Sequence, residues 1–309
     1  MQIVARVICL SCLAILLASC DAGKPLVTEN NSERCLDGGE FTMGSNDHYP
    51  EEREERRVTV GPFCIDTFEV SNKAFAEFVE ATAYVTLAER GPSRAEYPNA
   101  PEEFFQAGSA VFEAPEQIGD RMTSMSWWQF RPDANWRNID GEGRSIEGLE
   151  DHPVVHIAFE DALAYSNWRG RDLPTESEWE FAARGGEGPS EYAWGNERDP
   201  EGTEMANTWQ GQFPRENMGT DGHLGTAPAG SFPANGYKLY DMIGNAWEWT
   251  KSAPDGRDPP SGLQRIIKGG SFLCAPNYCA RYRPAARQAQ DTGLGTSHIG
   301  FRTVRRPAG

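Results

Sequence analysis

The chain has 309 residues, with 46 aspartates and glutamates against 29 lysines and arginines, for a formal net charge of -17. That balance argues against nucleic-acid binding, where neutralising phosphate needs clustered cations, and it is compatible with bound calcium. Glycine, proline and tryptophan are frequent, long helical periodicity is scarce, and no low-complexity stretch or charge block divides the chain, so we expect an α+β fold in a single irregular, loop-rich domain.

In chain order, residues 7–17 form an apolar run after Arg6, too short for a comfortable membrane span. The run ends in Leu17-Ala18-Ser19-Cys20, which resembles a bacterial lipoprotein signal with Cys20 as the acylated first mature residue. We expect residues 1–19 to be a signal peptide, 20–34 a lipidated polar tether, and 35–309 the folded domain. Several acyl chains on Cys20 would hold that domain firmly on the extracytoplasmic face of a membrane. Cys35, Cys64, Cys274 and Cys279 then remain in an oxidising compartment, and a Cys35–Cys64 staple is one pairing open to them.

Arg57-Val58-Thr59-Val60 alternates polar and apolar residues, which predicts a half-buried strand. Ser71 or Asn72 can cap a helix whose Phe75, Phe78 and Val79 recur at helical spacing. Residues 91–150 read mainly as excursions. His152 and His156 sit in a His-Pro-Val-Val-His context, where the proline disfavours a preceding helical residue, and they read as structural. A second helix is expected over about 160–168, with Ala162, Leu163, Tyr165 and Trp168 toward the core. Thr175-Glu176-Ser177-Glu178 is a capping box, which makes Glu178 structural, and Gly185-Gly186 stops that helix.

Asp241-Met242-Ile243-Gly244-Asn245-Ala246-Trp247-Glu248 places two carboxylates around a glycine turn. If residues 246–250 are extended, Ala246 and Glu248 share one face and Trp247 and Trp249 the other, one side for an ion and one for packing. Further on, residues 269–283 set Cys274 and Cys279 five apart beside Arg281 and Arg283. Neighbouring cations favour the thiolate, the form that binds soft metals. An extended segment here would put both arginines on the face of Cys279. Two thiolates without a third soft ligand suit Cu(I), while a local disulfide is the competing reading.

The pattern G-G-S-F-L-C…Y-C-x-R-Y-R-x-A-A-R, followed by Gly300-Phe301-Arg302, resembles the C-terminal block of the formylglycine-generating enzymes, the sulfatase-modifying factor family. The likeness continues upstream in Gly39-Glu40-Phe41-Thr42-Met43-Gly44-Ser45, Asp151-His152-Pro153-Val154-Val155-His156, Leu173-Pro174-Thr175-Glu176-Ser177-Glu178-Trp179-Glu180, Trp209-Gln210-Gly211 and Gly244-Asn245-Ala246-Trp247-Glu248-Trp249-Thr250. It implies that family's C-type-lectin-like fold and a copper-dependent oxidase. Such an enzyme converts the cysteine of a Cys-x-Pro-x-Arg segment of a sulfatase to formylglycine with dioxygen. Cu(I) would be held by Cys274 and Cys279, Ser271, Tyr278 and Arg281 would line the reaction site, and Trp247 would wall the oxygen pocket.

The resemblance also implies two calcium sites. One comprises Asp241, Glu248 and the carbonyls of Gly244 and Ala246. The other comprises Asn207, Asp221 and the carbonyls of Thr208 and His223. A monomer is expected. Ala275-Pro276-Asn277 departs from the family, which usually has a histidine and another polar residue before serine, and Pro284 and Thr303 replace disulfide cysteines of the animal enzymes. Two other readings use the same scaffold, a non-catalytic binding module and an iron-dependent relative that modifies small molecules. Neither should need the cysteine pair.

Overall fold

In the computed structural model the described residues are 33–307 apart from 96, 116–125 and 258–261. The signal segment, Cys20 and nearly all of the tether lie outside them. The strands in chain order are β1 (Glu33–Leu36), β2 (Gly39–Met43), β3 (Arg56–Val60), β4 (Phe63–Asp66), β5 (Gly108–Phe112) and β6 (Trp128–Pro132). They continue with β7 (Trp247–Trp249), β8 (Gln264–Lys268), β9 (Arg287–Asp291), β10 (Ile299–Gly300) and β11 (Val304–Arg305). The helices are α1 (Asn72–Thr82), α2 (Leu87–Arg90), α3 (Phe159–Trp168) and α4 (Glu176–Ala183).

Strand β4 lies between β1 and β11, so the two ends of the described domain close on one sheet. Cys35 faces Cys64 across that ladder and the two are disulfide-bonded, each inside a strand rather than before or after one. Thr303 donates its hydroxyl to Asp66 at 2.6 Å. The second sheet runs β10-β7-β8-β9, with β10 parallel to β7 and the other pairs antiparallel.

The helices form where their caps predict. Ser71 Oγ accepts the Ala74 amide at the start of α1, and Thr175 and Glu178 form the reciprocal box at the start of α4. Phe75 and Phe78 of α1 meet Tyr165 of α3, and Phe301 and Trp136 complete this aromatic core. Burying each such ring contributes roughly 1.5–3 kcal/mol.

One expectation needs correction. Residues 91–150 are not mere excursions, because β5 and β6 pair antiparallel over five residues each. Prolines and glycines surround both strands, and only β5 alternates half-buried with buried residues. Strand β7 is buried along its whole length, so the face that carries Glu248 lies inside the protein, as do its two tryptophans. Trp249 Nε1 donates to the Ile157 carbonyl at 2.9 Å, and Glu248 receives Trp179 and Arg302.

Candidate active site and cation cradles

The cysteine block is the irregular connection from β8 to β9, held in place from three directions. Gly270 starts it at φ +77°, where an added Cβ would stand 2.8 Å from the Arg281 carbonyl, so only glycine lets the two ends of the loop approach. The Phe272 amide donates to the Asn245 carbonyl at 3.0 Å, and the Trp209 amide to the Cys274 carbonyl at 3.0 Å. On the third side, the 3-10 turn Pro50–Glu52 meets the arginines.

Cys274 Sγ and Cys279 Sγ lie 3.3 Å apart, in hydrogen-bonding contact and unbonded. Both are buried. The Cys274 thiol hydrogen bond, with the Arg281 guanidinium 3.8 Å away, brings Cys279 down to about 6 against the opposing effect of burial. Burial, then the hydrogen bond with Cys279, pushes the Cys274 thiol well up. The pair is thus asymmetric, with Cys279 favouring the thiolate and Cys274 the thiol. Ser271 is buried and shapes the turn, its carbonyl accepting the Cys274 amide at 2.9 Å.

Arg281 is aimed by groups that the sequence alone did not single out. Glu51 Oε1 accepts its Nε at 3.0 Å, the Tyr49 ring lies 3.8 Å beneath its guanidinium, and Tyr49 Oη accepts the Ala280 amide at 3.1 Å. Arg283 does not share the face of Cys279. The segment is not a strand, and Arg283 turns to a buried bidentate pair with Glu52 at 2.7 and 2.8 Å. No spacing in the sequence connects these two glutamates to two arginines so far along the chain.

Tyr278 is 43% exposed at the rim. Its ring stacks on Phe213 at 4.5 Å and meets Trp127 edge-on at 5.1 Å. Phe213 belongs to an aromatic wall with Trp209 and Phe112. Asn277 locks this wall, its amide donating to the Phe213 carbonyl at 3.1 Å and accepting the Phe213 amide at 3.3 Å. Trp247 is buried in the main core together with both cysteines, its amide donating to the His298 carbonyl at 2.9 Å. His152 and His156 take hydroxyl partners, Thr226 at 3.0 Å and Ser109 at 2.8 Å.

The donor set at the cysteines fits a soft monovalent ion, with two sulfurs side by side and one biased to thiolate. Among the described residues, no carboxylate or imidazole joins the two sulfurs within 4.8 Å.

The calcium ligand sets differ in fit. Around Asn207, the side-chain Oδ1 is buried without a hydrogen-bond partner, Asp221 Oδ1 accepts the His223 amide at 2.9 Å, and Gln210 Nε2 donates to Asp221 and to the Thr208 carbonyl. An orphaned buried oxygen beside a carboxylate and a carbonyl suits a hard cation. Gly244, at φ +80°, lets the second turn approach, since a Cβ there would stand 2.4 Å from the Asn207 carbonyl. In that turn, however, Glu248 is already occupied. Arg302 and Trp179 give its oxygens four hydrogen bonds of 2.7–3.0 Å, so a cation would have to compete with them. The charge needing compensation there is on Asp241, which burial pushes up to about 6, and on Glu69, which burial and then Asp241 raise well above the ordinary range. Glu69 was not singled out in the sequence. It accepts Asn245 Nδ2 at 2.7 Å and the Ala246 amide at 3.1 Å.

With fold and site in view, the family follows: residues 21–307 match the Sulfatase-modifying factor enzyme 1-like domain, and the chain belongs to that family. It is 47% identical over 290 residues to a formylglycine-generating enzyme of Mycobacterium tuberculosis, covering 88% of this chain and 97% of that one. It is 43% identical to a formylglycine-generating enzyme of Thermomonospora curvata, over 88% and 92% of the two chains. It is also 40% identical to an inactive Cα-formylglycine-generating enzyme 2 of Mus musculus, over 86% and 83%. Among solved structures, PvdO from Pseudomonas aeruginosa shares the fold with a TM-score of 0.58 at 22% identity, covering 89% of this chain and 94% of that one.

Proposed function

We propose that this protein is an oxidoreductase that converts a cysteine of a sulfatase polypeptide to formylglycine. The observation that carries the reading is the free, buried Cys274–Cys279 pair at 3.3 Å, with Arg281 beside Cys279, in a chain up to 47% identical to enzymes of that name. In the balanced reaction, the substrate cysteine gives up two electrons and loses its sulfur as sulfide. Dioxygen takes four electrons and becomes two waters, a thiol reductant supplies the other two electrons, and water that displaces the sulfide becomes the aldehyde oxygen.

Cu(I) held by Cys274 and Cys279 would supply a soft anchor for the substrate thiolate and one-electron chemistry toward dioxygen. The chain's own residues prepare that place. Cys274 donates a proton-bearing thiol toward Cys279, Arg281 balances the thiolate charge, and Ser271 fixes the turn. Tyr278, Phe213 and Trp127 form an apolar rim for an extended Cys-x-Pro-x-Arg segment, and Trp247 walls the interior. Calcium would hold the Asn207–Thr208–Asp221–His223 turn, and the Asp241–Gly244–Ala246–Glu248 turn if it displaces Arg302.

We further propose that Cys20 is lipidated and anchors a monomer on the extracytoplasmic side of a membrane. Among the described residues, no helix is long and apolar enough to cross one. Cys20→Ala should release the protein into the soluble fraction or block its processing, and unchanged fractionation would refute the anchor.

The decisive test is mass spectrometry of a Cys-x-Pro-x-Arg peptide incubated with copper-loaded protein, oxygen and a thiol reductant. Aldehyde should form with the wild-type chain and not with Cys274→Ser or Cys279→Ser. The inactive relative at 40% identity motivates the competing binding role, which stoichiometric copper without aldehyde across several such peptides would favour.

A further inference from the structure

Gln210 is only 5% exposed, and its Oε1 is buried without any hydrogen-bond partner. Its Nε2, by contrast, is doubly used, donating to the Thr208 carbonyl and, at 2.8 Å, to Asp221 Oδ2. Those two acceptors belong to the Asn207 cradle, where Asn207, 1% exposed, also has a buried oxygen without a partner. An amide nitrogen thus stands between the same oxygens that a cation would draw together, while two amide oxygens within a four-residue stretch lack donors.

The terminal carboxamide of glutamine is nearly symmetric in shape, and a half-turn exchanges oxygen for nitrogen without changing the space it fills. With Nε2 inward, the cradle is closed by hydrogen bonds and Oε1 is stranded. With Oε1 inward, it joins Asn207 Oδ1, Asp221 and the Thr208 carbonyl as an all-oxygen set of the kind a flexible, oxygen-preferring divalent cation takes. We propose that Gln210 is a ligand of this cation cradle, its carboxamide turning so that Oε1 meets calcium and Nε2 fills the cation's place when calcium leaves. This rests on reading Asn207, Thr208, Asp221 and His223 as a calcium site. The backbone amide of Gln210 donates to Asn217 Oδ1 at 3.2 Å, which holds the residue in the turn.

The test uses the full chain stripped by chelator, with calcium affinity measured by competition against a chromophoric chelator. Terbium(III) serves as a luminescent stand-in, and its lifetimes in H2O and D2O count the waters on the ion. Gln210→Leu should weaken calcium by about tenfold or more and add one water to the terbium ion, while Gln210→Glu, which supplies a charged oxygen in the same space, should tighten binding. Asn207→Ala and Asp221→Ala identify the site. If calcium binding to the wild type is absent, or neither change removes a bound calcium equivalent, the underlying site reading fails and Gln210 with it. If Asn207→Ala and Asp221→Ala each remove one calcium equivalent but Gln210→Leu and Gln210→Glu leave affinity and hydration at wild-type values, the site stands and the role of Gln210 is overturned.

Discussion

The backbone amide of Trp209 donates to the carbonyl of Cys274 at 3.0 Å, so one hydrogen bond joins the proposed Asn207 calcium site to the backbone of a proposed copper ligand. Trp209 directly follows two of the cradle's proposed ligands, Asn207 and Thr208. A cation that orders this stretch also fixes the peptide that carries Cys274. Calcium and Cu(I) should therefore bind with positive coupling, each raising affinity for the other by the same factor, within the usual range of about 5–150-fold. Competition titration with a chromogenic Cu(I) chelator, with and without a calcium chelator, measures the factor directly. Equal Cu(I) affinities in the two conditions would remove the coupling.

The cysteine pair makes a pH-dependent prediction. Thiolate is the reactive form, and Cys279 is brought down to about 6 by the Cys274 hydrogen bond and Arg281. In reduced, metal-free protein its alkylation rate should rise through about pH 6 and level off by pH 7–8. Arg281→Ala removes a cation and a donor that favour the thiolate, so the midpoint should move upward, by about one unit or more. A midpoint near an ordinary thiol value in the unmutated protein would contradict the geometry.

Asn277 closes on both polar groups of the Phe213 peptide. Asn277→Ala should free Phe213 and with it the stacked Tyr278 ring. The Michaelis constant for the peptide should then rise about three- to tenfold with little change in kcat, because the wall binds ground and transition states alike. A fall in kcat at constant Michaelis constant would instead place Asn277 in the chemical step.

Glu52 and Arg283 form a bidentate ion pair in which both side chains are buried. Glu52→Ala leaves the guanidinium buried and unpaired, at a cost of about 3–5 kcal/mol, equivalent to a fall in Tm on the order of 10 °C for a domain of this size. Because the same turn carries Glu51 to Arg281, copper affinity should fall alongside stability. Differential scanning fluorimetry and the Cu(I) titration check the two effects separately.

Local signals in the chain were enough for the pieces whose stabilisation is local. The capping residues Ser71, Thr175 and Glu178 marked helix starts, alternation marked β3, and the selective Cys274–Cys279 block pointed to the family. The fold class followed from the abundance of turn-forming residues and the shortage of helical periodicity. Tertiary structure alone decided which charges meet. Glu51 with Arg281, Glu52 with Arg283, and Glu248 with Arg302 are pairs between distant segments, and no periodicity encodes them. It also brought β5 and β6, lost among prolines and glycines, to the sheet pairing that places Trp127 and Phe112 at the rim. It turned Arg283 away from Cys279, because a buried guanidinium is most stable on a carboxylate that satisfies it with two hydrogen bonds. Sequence therefore singled out the cysteine pair, while long-range burial and charge compensation determined the groups that surround it.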